Sequence, residues 1–186
     1  MTDKTDEIIA LEVQNGDVHA FGVLVDRYEK KLLRYARRFL FGYEDAEDIL
    51  QEVFIKAFRN IQGFDTNRSF NSWIYRIAHN EFINAIKKKG REPLSFFDPD
   101  TLFPHPVEPK QADDDLKDSE LRAMLDKCLD HLDPKYRESL VLYYFEDLSY
   151  QEIAEIIHIP VATVGVRLNR GKKQLQSVYK KLFVSL

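Results

Sequence analysis

The chain has 186 residues, 44% of them hydrophobic and 31% charged, with a net charge of −4. That length buries one moderate core or two small ones, and the composition is that of a soluble globular protein. No run approaches the roughly 18 to 20 continuous apolar residues of a membrane span. The first residues, with Asp3, Asp6 and Glu7, lack the order of a signal peptide, and the single cysteine, Cys128, excludes an internal disulfide and a cysteine-based zinc site, so a cytoplasmic protein is expected.

In the first half, apolar residues recurring at three and four predict helices near 4–15, 17–40, 44–60 and 70–89, with Gly16, Gly42 and Gly63 near the breaks. The helix over 44–60 opens with Glu44, Asp45, Glu47 and Asp48 and closes with Lys56 and Arg59, an order that complements the helix dipole. Ile49, Val53, Phe54, Ala57 and Phe58 supply its core stripe, which leaves Asp45, Asp48, Gln51, Glu52 and Lys56 on the other side. Alone, such a face is an ordinary solvated surface; functionally it is a dock for a basic or polar groove on another protein.

The helix over 70–89 has Phe70, Trp73, Ile74, Ile77, Ala78, Phe82, Ala85 and Ile86 on one side. Its other side carries Arg76, Asn80, Asn84, Lys87 and Lys88 at spacings of four and three, a row of amide and cationic donors suited to bases and phosphates. Asparagine is a poor helix former, so helix propensity does not account for two of them in this row. Upstream, Gly63 to Ser69 form a loop that includes Phe64, Asn67 and Arg68, the parts needed to hold an unstacked base. A plain connection between helices is the simpler reading of that loop.

Five of the seven prolines, Pro93, Pro99, Pro104, Pro106 and Pro109, fall in the next segment, as does the run Asp113 to Asp115. Counted along the chain, residues 1–90 are electrically balanced, 91–118 carry −5, and 119–186 carry +1. Proline and like charge stop helices from running through, so 91–117 is expected to be an extended or disordered linker between domains at 1–90 and 118–186. It also contains Phe96, Phe97, Leu102 and Phe103, which a free spacer would leave in water, so it is expected to dock on its own domains or on a partner.

The second domain should hold helices near 118–132, 134–146, 149–157 and 161–183, punctuated by Asp133-Pro134 and Glu146-Asp147. Cys128 falls among Leu121, Met124, Leu125, Leu129 and Leu132 at helical spacing, the place of a small buried side chain. Ser149 and Glu152 form a capping box at a helix start, while Ile159 and Pro160 end that helix and admit a new one. From Pro160 onward the charged residues are Arg167, Arg170, Lys172, Lys173, Lys180 and Lys181, with no acid. A helix, a short turn and a basic second helix make a DNA-binding helix-turn-helix, against the alternative of an ordinary surface hairpin. The overall fold class is therefore all-α, two small helical domains joined by a proline-rich acidic linker.

Three blocks of this sequence carry a resemblance to a known family. They are Asp45 to Phe54 (DAEDILQEVF), Phe70 to Asn80 (FNSWIYRIAHN), and Leu148 to Ala154 (LSYQEIA) followed by Ile159 to Val164 (IPVATV). In that order the chain resembles a bacterial RNA polymerase sigma factor of the small, two-domain extracytoplasmic-function group of the sigma-70 family, over residues 18–90 and 118–183. The resemblance implies that 1–90 is region 2, where Asp45, Asp48, Gln51 and Glu52 bind the clamp of the largest subunit of core RNA polymerase. It implies that Asn67, Arg68, Arg76, Asn80, Asn84, Lys87 and Lys88 recognise and melt the minus-ten element of promoter DNA by capturing a flipped base. It makes 118–186 region 4, with Thr163, Arg167 and Arg170 reading the minus-thirty-five duplex and Lys172 and Lys173 on its backbone. Relatives thread the linker toward the RNA exit path, and they are commonly held inactive by an anti-sigma factor.

The chain departs from the family pattern at Gly165, where relatives place lysine, at Val166, where a small polar residue is common, at His158, which replaces a turn glycine, and at Asn84, where aspartate is frequent. No Walker-type loop or nucleophile-base signature is present, and His19, His79, His105, His131 and His158 show no metal-ligand spacing. No enzymatic activity, cofactor or metal is expected. Two other readings remain open from sequence: a conventional helix-turn-helix regulator, and a sigma-mimicking adaptor that sequesters an anti-sigma protein.

Overall fold

The computed structural model describes residues 4–40, 46–89 and 116–184. Among these, the regular elements are eight α-helices: α1 (Asp6–Gln14), α2 (Ala20–Phe39), α3 (Ala46–Asn60), α4 (Phe70–Lys89), α5 (Leu116–Asp130), α6 (Pro134–Tyr144), α7 (Tyr150–Ile157) and α8 (Val161–Tyr179), with a 3-10 turn at Ile61–Gly63 and a π-helical turn at Lys180–Val184. The expected all-helical, two-domain class is what the chain adopts. No helix among the described residues is long and apolar enough to cross a membrane. The linker expectation, with its four apolar residues, falls on 90–115 and lies outside the described residues.

Helix ends fall where local chemistry places them. Thr5 accepts the Ile8 amide at the start of α1, and Gly16, at φ +105, makes the sharp reversal into α2 that a side chain would resist. Asp133 caps α6 by accepting the Lys135 amide, with Pro134 in the first turn, where its missing N–H costs nothing. The box at α7 is reciprocal: Glu152 N donates to Ser149 Oγ at 3.3 Å while Ser149 N donates to Glu152 Oε2 at 2.9 Å.

α4 is the centre of the first domain. Its Phe82 and Tyr75 pack on Tyr35 of α2, at ring separations of 5.1 and 5.7 Å, and Phe70 meets Tyr28 at 5.5 Å. Full burial of each such ring contributes about 1.5–3 kcal/mol, so this cluster is a main anchor of the domain. In the second domain α8 lies on α6 through buried Val164, Leu168 and Gly171.

The two domains meet across a polar junction. Tyr35 Oη donates to Glu138 Oε1 at 2.7 Å, and His79 Nδ1 lies 2.5 Å from the same oxygen. Arg34 donates twice to Glu146, Nε to Oε1 and Nη2 to Oε2, both at 2.9 Å, and Tyr75 Oη donates to Glu146 Oε2 at 2.6 Å. Arg38 Nε donates to Asp126 at 3.1 Å, and its guanidinium covers the Phe145 ring at 4.1 Å. Burial raises the pKa of Tyr35 and Tyr75, with the facing carboxylates adding to it, so both phenols keep their protons and act as donors. Glu138 and Glu146 are withdrawn from water and held by these donors; a carboxylate so placed is tolerable only while its partners stay.

Candidate nucleic-acid interface

The loop before α4 is built by α1. Gln14 Nε2 donates to the carbonyls of Ile61 (2.7 Å) and Phe64 (2.8 Å), and Glu7 Oε1 accepts the Phe70 amide (3.0 Å) at the start of α4. Asp65 then closes the loop on itself, accepting the Asn67 amide at 3.0 Å and the Asn67 side chain at 2.9 Å. These bonds, the backbone one foremost, lower its pKa. Asn67 and Arg68 are left exposed at the tip. Phe64 differs from its expected role: it is buried, 5.4 Å from the Phe70 ring and 5.0 Å from the Trp73 ring, so it supports the loop and presents no free face to a base.

Beyond the loop, Arg76 is half-buried, and Asn80, Asn84, Lys87 and Lys88 are exposed along α4 in the row their spacing predicts. Arg68, Trp73 and Arg76 line a cavity of about 750 Å³ together with Ser69 and Ser72. The opposite wall comes from the second domain, Ser149, Gln151, Glu152 and Glu155 at the start of α7. Ser72 and Tyr75 are buried although they stand off the expected apolar stripe; Tyr75 packs on Tyr35 of α2 and donates to Glu146, and α7 also lies against α4.

On α3, Asp48, Gln51 and Glu52 are exposed and share a face with Ile55, which is 42% exposed. Ile55 is an exposed apolar residue beside these polar side chains, and sequence reasoning passed over it. Asp45 lies outside the described residues. Lys56 leaves this face: its Nζ donates to Glu81 at 2.6 Å, tying α3 to α4. The core stripe of α3 is also rotated, with Leu50 buried and Phe58 at the margin against Phe21.

The turn between α7 and α8 is set by His158 in the left-handed region, φ 54 and ψ 49, the conformation for which a glycine would be the ordinary choice. Pro160 then precedes α8, whose first turns carry Thr163 and Arg167, both half-buried, followed by exposed Arg170, Lys172 and Lys173. Lys172 lies over the Tyr144 ring at 5.1 Å, and its hydrogen bond to Tyr144 raises its pKa. Tyr143, Tyr144 and Tyr150 form an aromatic cluster beside the basic helix, which the sequence reading missed because these rings belong to two different helices. Gly165 leaves ordinary van der Waals space toward Tyr150, so no backbone requirement explains the glycine there.

The Sigma-70 region 2 family model matches residues 24–92 and the Sigma-70 region 4 model matches 122–175. The chain is 38% identical over 182 residues to the ECF RNA polymerase sigma factor SigW of Bacillus subtilis (strain 168), covering 92% of this chain and 95% of the relative. Among solved structures it is similar to CnrH in complex with the cytosolic domain of CnrY, with a TM-score of 0.71, 25% identity, and coverage of 96% of this chain and 99% of that one. The same fold occurs in the sigma factor RpoE solved with the anti-sigma factor NepR from Bartonella quintana, TM-score 0.70, 24% identity, covering 86% of this chain and 96% of that chain. With two regional models in chain order and a relative matched almost end to end, the chain belongs to the extracytoplasmic-function group of the sigma-70 family of bacterial RNA polymerase sigma factors.

Proposed function

We propose that the chain is the promoter-reading subunit of bacterial RNA polymerase: it docks on the core enzyme through α3, opens the minus-ten element through the 63–69 loop and α4, and holds the minus-thirty-five duplex through α8. The observation that carries this reading is the pair of polar rows, Asn67 to Lys88 and Thr163 to Lys173, exposed or half-buried, on two different domains that match region 2 and region 4 in order. Each row alone is a weak binder, because the chain as a whole carries net negative charge and non-specific affinity comes from neutralised phosphates. Carried on one polymerase, the two act at high effective concentration, and promoter selection follows from both being satisfied together.

Domain 1–90 takes the docking and melting work and 118–186 the duplex work. The polymerase contact is the clamp of the largest subunit, met by Asp48, Gln51 and Glu52, with Asp45 beside them in sequence. Captured bases drive melting, so the subunit needs no catalytic group, cofactor or metal of its own, and it works in the cytoplasm where polymerase is. Control by an anti-sigma factor fits the fold, since the related CnrH is known in complex with a polypeptide, the cytosolic domain of CnrY.

The test is transcription in vitro by core polymerase with the full chain. Promoter-dependent initiation is the expected result, and tight operator binding without polymerase would favour a conventional regulator instead. Replacing Asp48 and Glu52 by lysine should abolish co-purification with core enzyme while leaving the helical content intact. Undiminished co-purification would sink the docking assignment.

A further inference from the structure

α8 buries Val164, Leu168 and Gly171 on one line along its length. Two residues turn an α-helix by about 200°, so Ala162, Val166, Asn169 and Lys173, each two places from a buried residue, form the line that points most directly away from the domain. All four are exposed, whereas Thr163 and Arg167 stand at the flanks and are half-buried. The outward line changes chemistry along its course: a methyl, a branched apolar side chain 47% exposed, a primary amide, and then a cation. Gly165 adds no side chain beside it, and the first two turns of α8 carry Arg167 as their sole charge. A helix made only to hold phosphates would place cations there, and gains nothing from an exposed valine followed by an amide.

We propose that Val166 and Asn169 are specificity-determining residues of α8, and that they select two A·T pairs in the minus-thirty-five element. Val166 packs its methyls on the C5-methyl of a thymine, the apolar group that this base presents in the major groove. Asn169 donates from its amide nitrogen to adenine N7 and accepts from the adenine N6 amino group with its carbonyl oxygen, a paired match that guanine, with two acceptors, does not offer. Three residues advance a helix by about 4.5 Å, against about 3.4 Å between base pairs, so the two pairs are adjacent or one apart. Lys173 continues the line onto the DNA backbone. Val166 and its neighbour Gly165 are also positions where α8 departs from the family pattern, so the preference belongs to this chain and is not carried over from its relatives.

Val166 and Asn169 read this element only if the sigma reading above holds, and the experiment separates the two claims. Core polymerase carrying the full chain is offered a promoter library randomised over both elements, and the templates that support initiation are sequenced. Absence of promoter-dependent initiation from the whole library faults the sigma reading itself. Otherwise the selected minus-thirty-five segment should contain the two A·T pairs, and a segment without them overturns the proposal. Base analogues in the selected promoter then assign the contacts. Deoxyuridine removes only the thymine methyl, and at one pair it should lower closed-complex affinity about threefold for the parent and leave Val166→Ala unaffected. 7-Deazaadenine removes only N7, and at the other pair it should lower affinity at least about threefold for the parent and leave Asn169→Ala unaffected. Both positions are exposed, so the variants should keep the parent's helical circular dichroism, and the analogues probe the parent protein unaltered. A penalty missing from the parent, or equal in the parent and the matching variant, overturns the assignment of that residue.

Discussion

α4 and α8 both carry a polar row proposed to meet nucleic acid, yet they are mounted in opposite ways. α4 is gripped by α1, α2, α3 and α7, buries Phe70, Ser72, Ile74, Tyr75, Ala78 and Phe82, and has its entry loop pinned by Gln14 and Glu7. α8 rests on α5, α6 and α7, has three buried positions, Val164, Leu168 and Gly171, and exposes about half of its residues to solvent. The difference matches two tasks. Capturing a base from a melting strand requires donors fixed in advance, since any ordering left to the encounter subtracts from the energy available for unstacking. Entering a major groove requires a helix that stands clear of its own domain.

The sharpest way to break that comparison is to damage each row separately in the full chain on core polymerase. Arg76→Ala with Asn80→Ala should leave closed promoter complexes in place but remove strand opening, read as loss of thymine reactivity to permanganate. The expected loss of open complex exceeds about tenfold, since two contacts at roughly 1–3 kcal/mol each are removed from a preformed surface. Arg167→Ala should instead weaken closed-complex affinity by about 1–3 kcal/mol and relax preference at one position of the minus-thirty-five duplex. If both variants lower closed-complex affinity alike and neither changes opening once bound, the division between α4 and α8 is wrong.

The sequence displayed the two rows better than it displayed their mounting. Helix positions, the capping box at Ser149 and the left-handed demand on His158 were all legible, because each depends on residues within about one turn of each other. Glu146 read only as punctuation between helices, yet it is the acceptor for Arg34, 112 residues away in sequence, and for Tyr75. Likewise Gln14 had no visible duty, although it holds the loop from a distance of 47 residues. Phe64 was assigned to a ligand because it sits in a loop, where an aromatic is conspicuous, and nothing local reveals that Phe70 and Trp73 enclose it. Periodicity shows which face of a helix is apolar; it does not show which polar side chains a second domain will remove from water.

The seat of α8 is open to a milder test. A β-carbon at Gly171 would lie 3.1 Å from Leu140 Cδ1, 3.2 Å from its Cγ and 3.3 Å from Tyr136 Cβ, so α6 and α8 approach too closely there for alanine. Overpacking costs about 1–3 kcal/mol, against which alanine recovers about 1 kcal/mol of helix propensity. The net expectation for Gly171→Ala is a destabilisation of about 1 kcal/mol in chemical denaturation, with α4-dependent opening unaffected once the protein is folded. A stabilised variant would mean that α8 is as loosely seated as its small buried face suggests, and the contrast with α4 would then sharpen.

The smallest effect belongs to the turn that aims α8. His158 occupies the left-handed region as a residue with a β-carbon, and replacing it by glycine relieves a cost of roughly 1 kcal/mol in the folded state. Glycine also gains freedom in the unfolded chain, which offsets part of that gain, roughly 0.4–1 kcal/mol. The difference between two terms of similar size is a stabilisation of no more than about half a kcal/mol. The informative reading is therefore promoter affinity, and not the melting temperature. If the backbone angle alone aims α8, His158→Gly keeps minus-thirty-five affinity within about twofold. A larger fall would show that the exposed imidazole contributes to the duplex contact, extending the α8 row backward into the turn.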